Sequence, residues 1–525
     1  MKRQAREEGK TTVVSRERIT EQPGSLSAIG RRDFLKQASG AAALSLYGLV
    51  AFDGVALKLA GPLRGAGSPN RGQRPPARAP QGPGDGRPPD LPPCFHTEVP
   101  THPWDIILGR PTDRAVTASV LSYRATEGYI EWGTERGTYP GRTAPVQFAA
   151  GIPVEIALPG LMPNTKYYYR LRTRTGSGDF ATSDEYRFHT QRAPGSAFTF
   201  TIQADSHLDE RADPALYTTA LRNALADGPD FHLDLGDTFM CDKVRGLGQP
   251  IAPMYLAQRY YFGLLCPSAP LFFVTGNHDG EIGNEDPEAV ALRQRYLPNP
   301  RSDGFYSGNQ TDRRGNYYAW TWGDALFIVL DPFTYSTERI RSAEENWNRT
   351  LGPAQYRWLQ RVLESSRASL KFVFIHNLVG GSDRNGRGGV EAVPYFEWGG
   401  HSLDGSQQFA AMRPGWDLPI HQLLVKHGVS VVFHGHDHFY DRQELDGIVY
   451  QEVPQPGWVG GERANQAAEY GYASGEIRAS SGHLRVQVTP TAATISYVRA
   501  YLPAEETGQR TNGQVGHRYE VVARH

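Results

Sequence analysis

The sequence predicts two folded parts in one chain, a small all-β sandwich followed by a larger α/β domain. Residues 97–191 contain short segments in which apolar and polar residues alternate between frequent turn residues, which is typical of an antiparallel sandwich. From residue 196 onward, nearly continuous apolar strands alternate with amphipathic helical stretches, the pattern of an α/β fold with covered sheets. In such folds the functional residues lie in loops just after the strands.

The composition allows a large core and excludes several classes of protein. The 525 residues carry 55 basic and 56 acidic side chains, a formal net charge of -1, which argues against a broad surface for binding a nucleic-acid scaffold. Hydrophobic residues make up 39% of the chain, enough to exclude global disorder. The three cysteines allow at most one disulfide, so a disulfide framework is excluded.

Residues 1–61 are predicted to be an export signal. A charged amino-terminal region is followed by the sequence RRDFLK at 31–36 and by a mildly apolar run over 41–60, the layout of a twin-arginine signal. The alternative is an amphipathic helix that happens to carry two arginines. Because Asp53 and Lys58 interrupt the run, it makes a poor stable membrane span. The twin-arginine export machinery is therefore an expected partner, and the expected location is periplasmic or extracellular.

The next segment, 62–96, is predicted to be an extended linker, since 10 of the 38 prolines fall in residues 62–93 and the segment has too few apolar residues to build a core. The folded parts are then expected at 97–194 for the sandwich and 195–505 for the α/β domain. Residues 506–525 are polar and are expected to form a loosely held tail.

One corner of the sandwich has a recognisable sequence. The run LMPNTKYYY at 161–169 resembles the corner that opens the sixth strand of fibronectin type III domains. In that corner a tyrosine hydroxyl bonds back to the backbone of the preceding loop. A fibronectin type III-like sandwich without a catalytic cluster is therefore expected.

In the α/β part, six strands and two helices are predicted. The strands are expected at 198–204, 231–235, 271–274, 326–330, 370–375 and 429–433. The helices are expected at 215–226 and at 354–366, the second after Gly352-Pro353, which is a favourable helix start.

Residues able to bind a metal follow nearly every one of these strands. They are Asp205 and His207, Asp237, then Asn277, His278 and Asp279, then His376, and finally His434, His436 and His438. Six of the 16 histidines fall in these loops. A single histidine at a strand end is more often structural, but five separate strand ends favour a metal site.

The residue types fit a pair of cations about 4 Å apart, which needs a bridging carboxylate completed by imidazoles and hard oxygens. Asp237 can bridge because a carboxylate offers one oxygen to each cation. His436 and His438 project to the same side of an extended segment, and Gly435 lets the backbone pass close to the cluster. His278 lies beside a proposed ligand while remaining free to exchange protons.

The order and spacing of these blocks, Asp-Ser-His, Gly-Asp, Gly-Asn-His-Asp, His and Gly-His-Asp-His, resemble the calcineurin-like metallophosphoesterase superfamily. With a fibronectin-like domain in front, the chain is similar to the purple acid phosphatase branch. The resemblance covers about residues 97–500 and rests on five ordered blocks. It implies an αββα fold, in which two β-sheets are flanked by helices, and a closing sheet near the carboxyl end.

The resemblance also implies roles. Asp205, His207, Asp237 and His438 would bind the first of two transition-metal ions (iron, manganese or zinc), and Asp237, Asn277, His376 and His436 the second. His278 would donate a proton to the leaving alkoxide or clamp the phosphoryl oxygens, with Asp279 orienting it. A hydroxide on the metals would attack phosphorus in line.

One position departs from the purple acid phosphatase pattern. Those enzymes carry an iron-binding tyrosine three residues after the bridging aspartate, where this chain has Met240, and they generally lack a counterpart of His207. The first site is therefore more similar to that of the phosphodiesterase and protein-phosphatase branches, and no tyrosinate colour is expected.

Several further residues have two interpretations. The polar segment 380–405 is either a substrate-facing loop, with Arg384 and Arg387 contacting phosphate, or a disordered surface excursion. Arg314 is a similar candidate. His434 is expected to be structural, and Asp331 either an active-site rim residue or a turn cap.

Together these features predict an exported two-metal phosphoesterase that hydrolyses a small phosphate monoester. A first alternative is a phosphodiesterase acting on nucleotides or glycerophosphodiesters, favoured by His207 and by the missing tyrosine. An alternative of another class is a catalytically inactive cell-surface binding protein, against which the full set of ligands argues.

Overall fold

The computed structural model describes residues 94–311, 314–338, 340–458 and 463–524. The predicted export signal, and the predicted linker up to residue 93, lie outside the described residues. All described residues belong to one unit of packed structure. Within them, no helix is long and apolar enough to cross a membrane.

The predicted linker ends earlier than residue 96. Phe95 is buried in a hydrophobic core and its backbone bridges to Asp209, and the His96 N–H donates to the Leu208 carbonyl over 2.7 Å. A single apolar residue after a proline-rich run has no periodicity, so the sequence did not indicate this packing.

The first folded part is a β-sandwich. Within residues 94–194 its strands are β1 (Trp104–Gly109), β2 (Ala115–Ser122), β3 (Thr126–Gly133), β4 (Gly141–Arg142), β5 (Val146–Phe148), β6 (Pro153–Pro159), β7 (Lys166–Arg174), β8 (Ala181–Thr182) and β9 (Tyr186–His189). Strands β1, β2 and β6 form one sheet, and the others form a sheet around β3 and β7. Alternate residues of β7 are buried, as the sequence pattern predicts.

The tyrosine corner has the predicted contact. The hydroxyl oxygen of Tyr167 accepts a hydrogen bond from the backbone N–H of Met162 over 2.8 Å. Because Tyr167 is also buried in the sandwich core, this bond fixes the loop that leads into β7.

The α/β part contains two further sheets. Its described strands are β10 (Phe198–Gln203), β11 (Phe231–Asp234), β12 (Leu271–Phe273), β13 (Ser307–Gly308), β14 (Tyr318–Trp322), β15 (Ala325–Val329), β16 (Leu370–Phe374), β17 (Val431–His434), β18 (Asp441–Leu445), β19 (Ile448–Glu452), β20 (Gly482–Val488), β21 (Ala492–Arg499) and β22 (Val515–Val522). The first sheet has the order β12-β11-β10-β20-β21-β22 and the second the order β13-β14-β15-β16-β17-β19-β18. All six predicted strands are present, as β10, β11, β12, β15, β16 and β17.

Helices cover the outer faces of both sheets. The described helices are α1 (Pro214–Ala226), α2 (Cys241–Gly246), α3 (Ala252–Phe262), α4 (Pro287–Tyr296), α5 (Gly352–Ser365), α6 (Phe396–Gly399), α7 (Phe409–Met412) and α8 (Ile420–Lys426). Residues of α1, α3 and α4 pack with β12, and those of α5 and α8 pack with β16 and β17. An aromatic core that includes Phe200, Phe231, Phe327 and Phe372 fills the space between the sheets, which gives the expected helix, sheet, sheet, helix layers.

The expected polar tail at 506–525 is wrong. Strand β22 pairs antiparallel with β21 at the edge of the first sheet, and Tyr519 and Val521 pack on the central core. The other side chains of this strand are polar or exposed, and they hide the apolar alternation in the sequence.

The strand directions bring the predicted site residues to one edge. Strands β10, β11 and β12 are parallel, and so are β15, β16 and β17. The loops that follow β10, β11, β12, β16 and β17 carry all the predicted metal ligands.

Candidate metal centre

The structure brings the predicted ligands together in two groups. Asp205, His207 and His438 form the first group, and Asp237, His376 and His436 the second. In each group, one ligand atom from every residue lies within 4.8 Å of the others. Asn277 joins the second group, since its Oδ1 lies 3.1 Å from His376 Nε2.

Asp237 lies between the groups and faces both with the same oxygen. Its Oδ2 is 3.2 Å from His376 Nε2 and 3.9 Å from His207 Nε2. Its Oδ1 accepts the backbone N–H of His278 over 2.6 Å. The sequence-based expectation gave one oxygen to each cation, whereas here Oδ2 alone points to both groups.

The donor atoms of the centre fit two metal ions. Asp205 Oδ1, His207 Nε2 and His436 Nδ1 are buried and have no hydrogen-bond partner among the described residues, which is costly unless another group satisfies them. The His376 ring donates through Nδ1 to the Leu235 carbonyl over 2.8 Å, which leaves the Nε2 lone pair for the centre. Imidazoles and carboxylates together are suitable ligands for iron, manganese or zinc.

The backbone of the ligand loops is strained. Asp205, Asp237, His436 and His438 have φ values of 58°, 54°, 81° and 69°, in the left-handed region that residues other than glycine rarely adopt. Such conformations persist where the surroundings impose them, and they cluster at functional sites. Gly435 allows the close approach predicted from the sequence, because a Cβ there would lie 2.7 Å from Asp205 Oδ2.

Asp279 does not orient His278, and the expectation that it does so is wrong. Its buried carboxylate accepts four backbone N–H groups, from Gly276, Asp237, Thr238 and Phe239, over 2.8 to 3.0 Å. The loop after β12 directs the side chain of Asp279 toward the backbone of the loop after β11. Asp279 therefore fixes the backbone around Asp237.

Asp242, in the first turn of α2, is the partner of His278. Its carboxylate oxygens lie 2.8 and 2.9 Å from His278 Nδ1, and because a carboxylate only accepts, Nδ1 carries a proton. The other ring nitrogen, Nε2, lies 4.0 Å from Asp237 Oδ2. His278 therefore presents Nε2 to the centre while Asp242 holds its ring.

Asp209 is a second residue that sequence reasoning missed. Its Oδ2 lies 3.6 Å from Nδ1 of His207 and accepts a hydrogen bond from Lys243 over 3.2 Å. A carboxylate behind a histidine ligand orients the ring and increases its basicity. The sequence offered one signal for each of these two carboxylates, their distance from a predicted ligand. Asp209 lies two residues after His207, and Asp242 lies five residues after Asp237.

Other candidates have structural environments. His434 Nδ1 lies 2.7 Å from Oε2 of buried Glu452, in agreement with a structural role. Asp331 accepts the N–H groups of Phe333 and Thr334, so it caps a turn. Met240 is fully buried in a hydrophobic core.

Two of the three arginines predicted to contact substrate are bonded within the protein. The Arg314 guanidinium donates to Asn284 Oδ1. The Arg387 guanidinium lies 4.2 Å from the ring centre of Tyr470 and 3.7 Å from Asp437 Oδ1. Both guanidinium groups are therefore engaged by other residues of the protein.

Arg384 differs, because it is exposed at the tip of a loop beside the centre. The carbonyl of the next residue, Asn385, accepts a hydrogen bond from His436 Nε2 over 3.0 Å. The carbonyl of Arg384 itself accepts from Arg349 over 2.8 Å, and Asp383 accepts the N–H of Asn385 over 2.9 Å. The loop is thus fixed next to the second ligand group.

A cavity of about 1340 Å³ lies elsewhere in the described chain. It is lined by Arg357, Trp358 and Arg361 of α5 and by the first residues of β15, at the opposite end of that strand from the ligand loops. It contains none of the predicted site residues, so the chemistry of the donor groups, rather than cavity size, identifies the candidate site.

The ion-free protein is expected to lose stability as the pH rises from about 7 to about 10. Burial alone would lower the pKa of both His207 and His376. The carboxylates of Asp205, Asp209 and Asp237 outweigh it at His207 and raise its pKa to about 9, and those of Asp237 and Asp205 raise the pKa of His376 to about 10. Between the ordinary histidine pKa of about 6.5 and these values, the folded state binds more protons than the unfolded chain. This stabilisation is complete below about pH 6.5 and disappears above about pH 10.

The thermal unfolding midpoint of chelator-treated protein, measured across this range, should therefore fall as the pH increases. Metal-loaded protein is the control, because its liganding imidazoles are neutral throughout. If the thermal unfolding midpoint of the ion-free protein rose over the same pH range, the raised pKa values of His207 and His376 would be contradicted.

Comparisons with known proteins agree with this geometry. Residues 198–440 match the family described as calcineurin-like phosphoesterase. Purple acid phosphatase 23 of Arabidopsis thaliana is 23% identical over 376 residues, which cover 66% of this chain and 72% of the relative. Purple acid phosphatase 15 of the same plant is 22% identical over 351 residues, covering 62% and 56%.

Two solved structures share the fold. The structure of PhoD superposes with a TM-score of 0.55 at 18% identity, over 78% of this chain and 88% of that one. The purple acid phosphatase PPD1 from yellow lupin (Lupinus luteus) superposes with a TM-score of 0.52 at 16% identity, over 80% and 74%. The segment that matches the family, 198–440, contains both ligand groups.

Proposed function

We propose that this chain hydrolyses small phosphate monoesters. It is a metal-dependent phosphoester hydrolase, and its residues 198–440 match the calcineurin-like phosphoesterase family. The observation that supports this best is the pair of ligand groups on either side of Asp237 Oδ2, with His278 beside them. Similarity to purple acid phosphatases supports a centre of two transition-metal ions, from among iron, manganese and zinc.

Each residue then has a role. Asp205, His207, Asp237 and His438 hold the first ion, and Asp237, Asn277, His376 and His436 the second. When bound, the two ions would supply an activated water and would offset the negative charge that develops on the phosphoryl oxygens. In its doubly protonated form, with Nδ1–H bonded to Asp242, His278 would donate the second proton, on Nε2, to the leaving alkoxide and become neutral.

Arg384 is the proposed contact for the phosphate oxygens of the substrate. It is exposed on a fixed loop beside the second ligand group, whereas Arg314 and Arg387 are bonded within the protein. A guanidinium forms strong, paired hydrogen bonds with phosphate. The expected preference is for a monoester, which carries more negative charge than a diester.

Arg384→Gln should lower kcat/KM for an aryl phosphate monoester roughly tenfold to a hundredfold, since a hydrogen bond to a charged group contributes about 1.5–3 kcal/mol. The loss for the diester of the same aryl alcohol should be smaller. The measurement is hydrolysis of both chromogenic esters by metal-loaded protein. Arg361→Gln, in the distant cavity, is the matched control and should leave both rates unchanged.

The same assay tests the second candidate function, a phosphodiesterase acting on nucleotides or glycerophosphodiesters. His207 in the first ligand group and Met240 in place of a tyrosine favour it. A wild-type protein that cleaves the diester faster than the monoester would overturn the monoester assignment.

We also propose that the protein is exported by the twin-arginine pathway to the periplasm or beyond, on the basis of RRDFLK at 31–36. Mutation of both Arg31 and Arg32 to lysine should retain a reporter-tagged protein inside the cell, and unchanged export would exclude the twin-arginine pathway.

The proposed domain organisation is a fibronectin type III-like domain at 97–194 before a catalytic domain that begins at 195.

A further inference from the structure

Helix α3 lies between the sandwich and the loops that carry the first group of metal ligands. Two consecutive residues of this helix, Gln258 and Arg259, are fully buried. Their side chains make hydrogen bonds to different parts of the molecule.

Gln258 connects the two loops that follow β10 and β11. Its Nε2 donates to the carbonyl of Ser206 over 3.1 Å and to the carbonyl of Thr238 over 2.9 Å. Ser206 lies between Asp205 and His207, and Thr238 directly follows Asp237. One amide group therefore sets the spacing between the loops that supply three of the four proposed ligands of the first ion.

Arg259 connects the same helix to the sandwich. Its guanidinium donates to the carbonyl of Ser119 over 3.0 Å, to the hydroxyl of Ser119 over 3.1 Å and to the carbonyl of Asp105 over 3.4 Å. Ser119 lies in β2 and Asp105 in β1. Because these backbone acceptors belong to paired strands, they offer the helix a rigid support.

The segment after α3 is fixed to the sandwich as well. The N–H of Leu108 in β1 donates to the carbonyl of Cys266 over 3.1 Å, and the hydroxyl of Tyr169 in β7 donates to the carbonyl of Pro267 over 2.7 Å. The sandwich thus holds both the helix and the chain that leaves it.

We infer that the sandwich is part of the scaffold of the metal centre, with Arg259 and Gln258 as positioning residues that transmit its support to the ligand loops. This inference rests on the proposed two-metal site. Residues that hold metal ligands in place from behind typically change metal affinity 10- to 100-fold when they are replaced. Besides its bonds to the sandwich, Arg259 donates to the carbonyl of Tyr296 at the end of α4 and is bonded to none of the proposed metal ligands. An effect of its replacement on metal affinity would therefore be indirect, through α3 or the end of α4.

The test compares three variants of the full chain by titration of chelator-treated protein with Mn²⁺. Arg259→Met and Gln258→Met should each weaken Mn²⁺ binding about 10- to 100-fold. Arg192→Met is the matched control. Arg192 also lies where the sandwich and the α/β part meet. Its partner, Asp230, lies just before β11 and so at the opposite end of that strand from the metal ligands. Arg192→Met should change Mn²⁺ affinity less than about threefold, even if the unfolding temperature falls.

A second readout separates positioning from general loss of stability. The increase in thermal midpoint on adding saturating Mn²⁺ reports binding to the folded state, and it should be smaller for Arg259→Met than for Arg192→Met. If Arg259→Met does not fold, Arg259→Lys, which keeps the charge but loses the forked geometry, should show an intermediate weakening. Equal Mn²⁺ affinity in wild type and the Arg259 variant would overturn the inference. A wild type that binds none of Mn²⁺, Fe²⁺ and Zn²⁺ would instead overturn the two-metal function on which it rests.

Discussion

Replacing Asp237 with alanine is expected to lower phosphoester hydrolysis roughly a thousandfold or more. A bound metal contributes several kcal/mol of transition-state stabilisation, and each 1.36 kcal/mol changes the rate about tenfold. Asp237 Oδ2 lies 3.2 Å from His376 Nε2 and 3.9 Å from His207 Nε2, so its removal takes the shared ligand from both groups. The measurement is the rate on a chromogenic phosphate ester with metal in excess.

Asp331→Asn is a suitable control for this variant. Asp331 is also buried and follows a strand of the second sheet, but its carboxylate caps a turn. The Asp331→Asn variant should keep its phosphoester hydrolysis activity and its bound metal even if its free energy of unfolding falls. Equal rates for Asp237→Ala and wild type would exclude the proposed centre.

Replacing His278 with asparagine should lower kcat about 10²- to 10⁴-fold for alkyl phosphates, the usual range for the loss of general acid-base catalysis. Its Nδ1 is bonded to Asp242 and its Nε2 faces the centre, as a proton donor to the leaving group requires. Aryl phosphates have better leaving groups and should lose less. Metal content should not change, because His278 belongs to neither ligand group.

Asp242→Asn is the companion variant and should lower kcat roughly tenfold, since it affects the ring of His278 and not the ligands. If His278→Asn lost metal, or slowed alkyl and aryl esters equally, its role as proton donor would be wrong.

The positions of the metal ligands could be predicted from the sequence because they depend on a short-range pattern. Strands such as 198–204 and 370–375 are recognisable as apolar runs, and ligands such as Asp205 and His376 directly follow them. Parallel strands bring their carboxyl ends to one edge, so sequence proximity to a strand end was sufficient to assemble the candidate site.

The supporting residues could not be predicted in this way, because they depend on how loops turn. Asp279 is next to His278 in sequence, yet its carboxylate points to the backbone around Asp237, while Asp242 reaches the histidine from α2. The three arginines also look alike in the sequence, and only their contacts separate Arg384 from Arg314 and Arg387. Side-chain direction in a loop has no sequence period that could reveal it.

The role of the sandwich was missed for a similar reason. Its alternating strands are visible in the sequence, but the bonds of Arg259 to Ser119 and Asp105 join residues about 140 positions or more apart in the chain. Strand β22 was missed because polar and exposed side chains outnumber its packed apolar ones, Tyr519 and Val521. Contacts of this kind depend on tertiary structure, which local patterns do not report.

The most direct test of the two-metal centre is elemental analysis of the purified wild-type protein alongside Asp237→Ala. The proposed centre predicts two transition-metal ions per chain, from among iron, manganese and zinc, in the wild type and fewer in the variant. Wild-type protein that is active on a phosphate ester but contains no transition metal would contradict it.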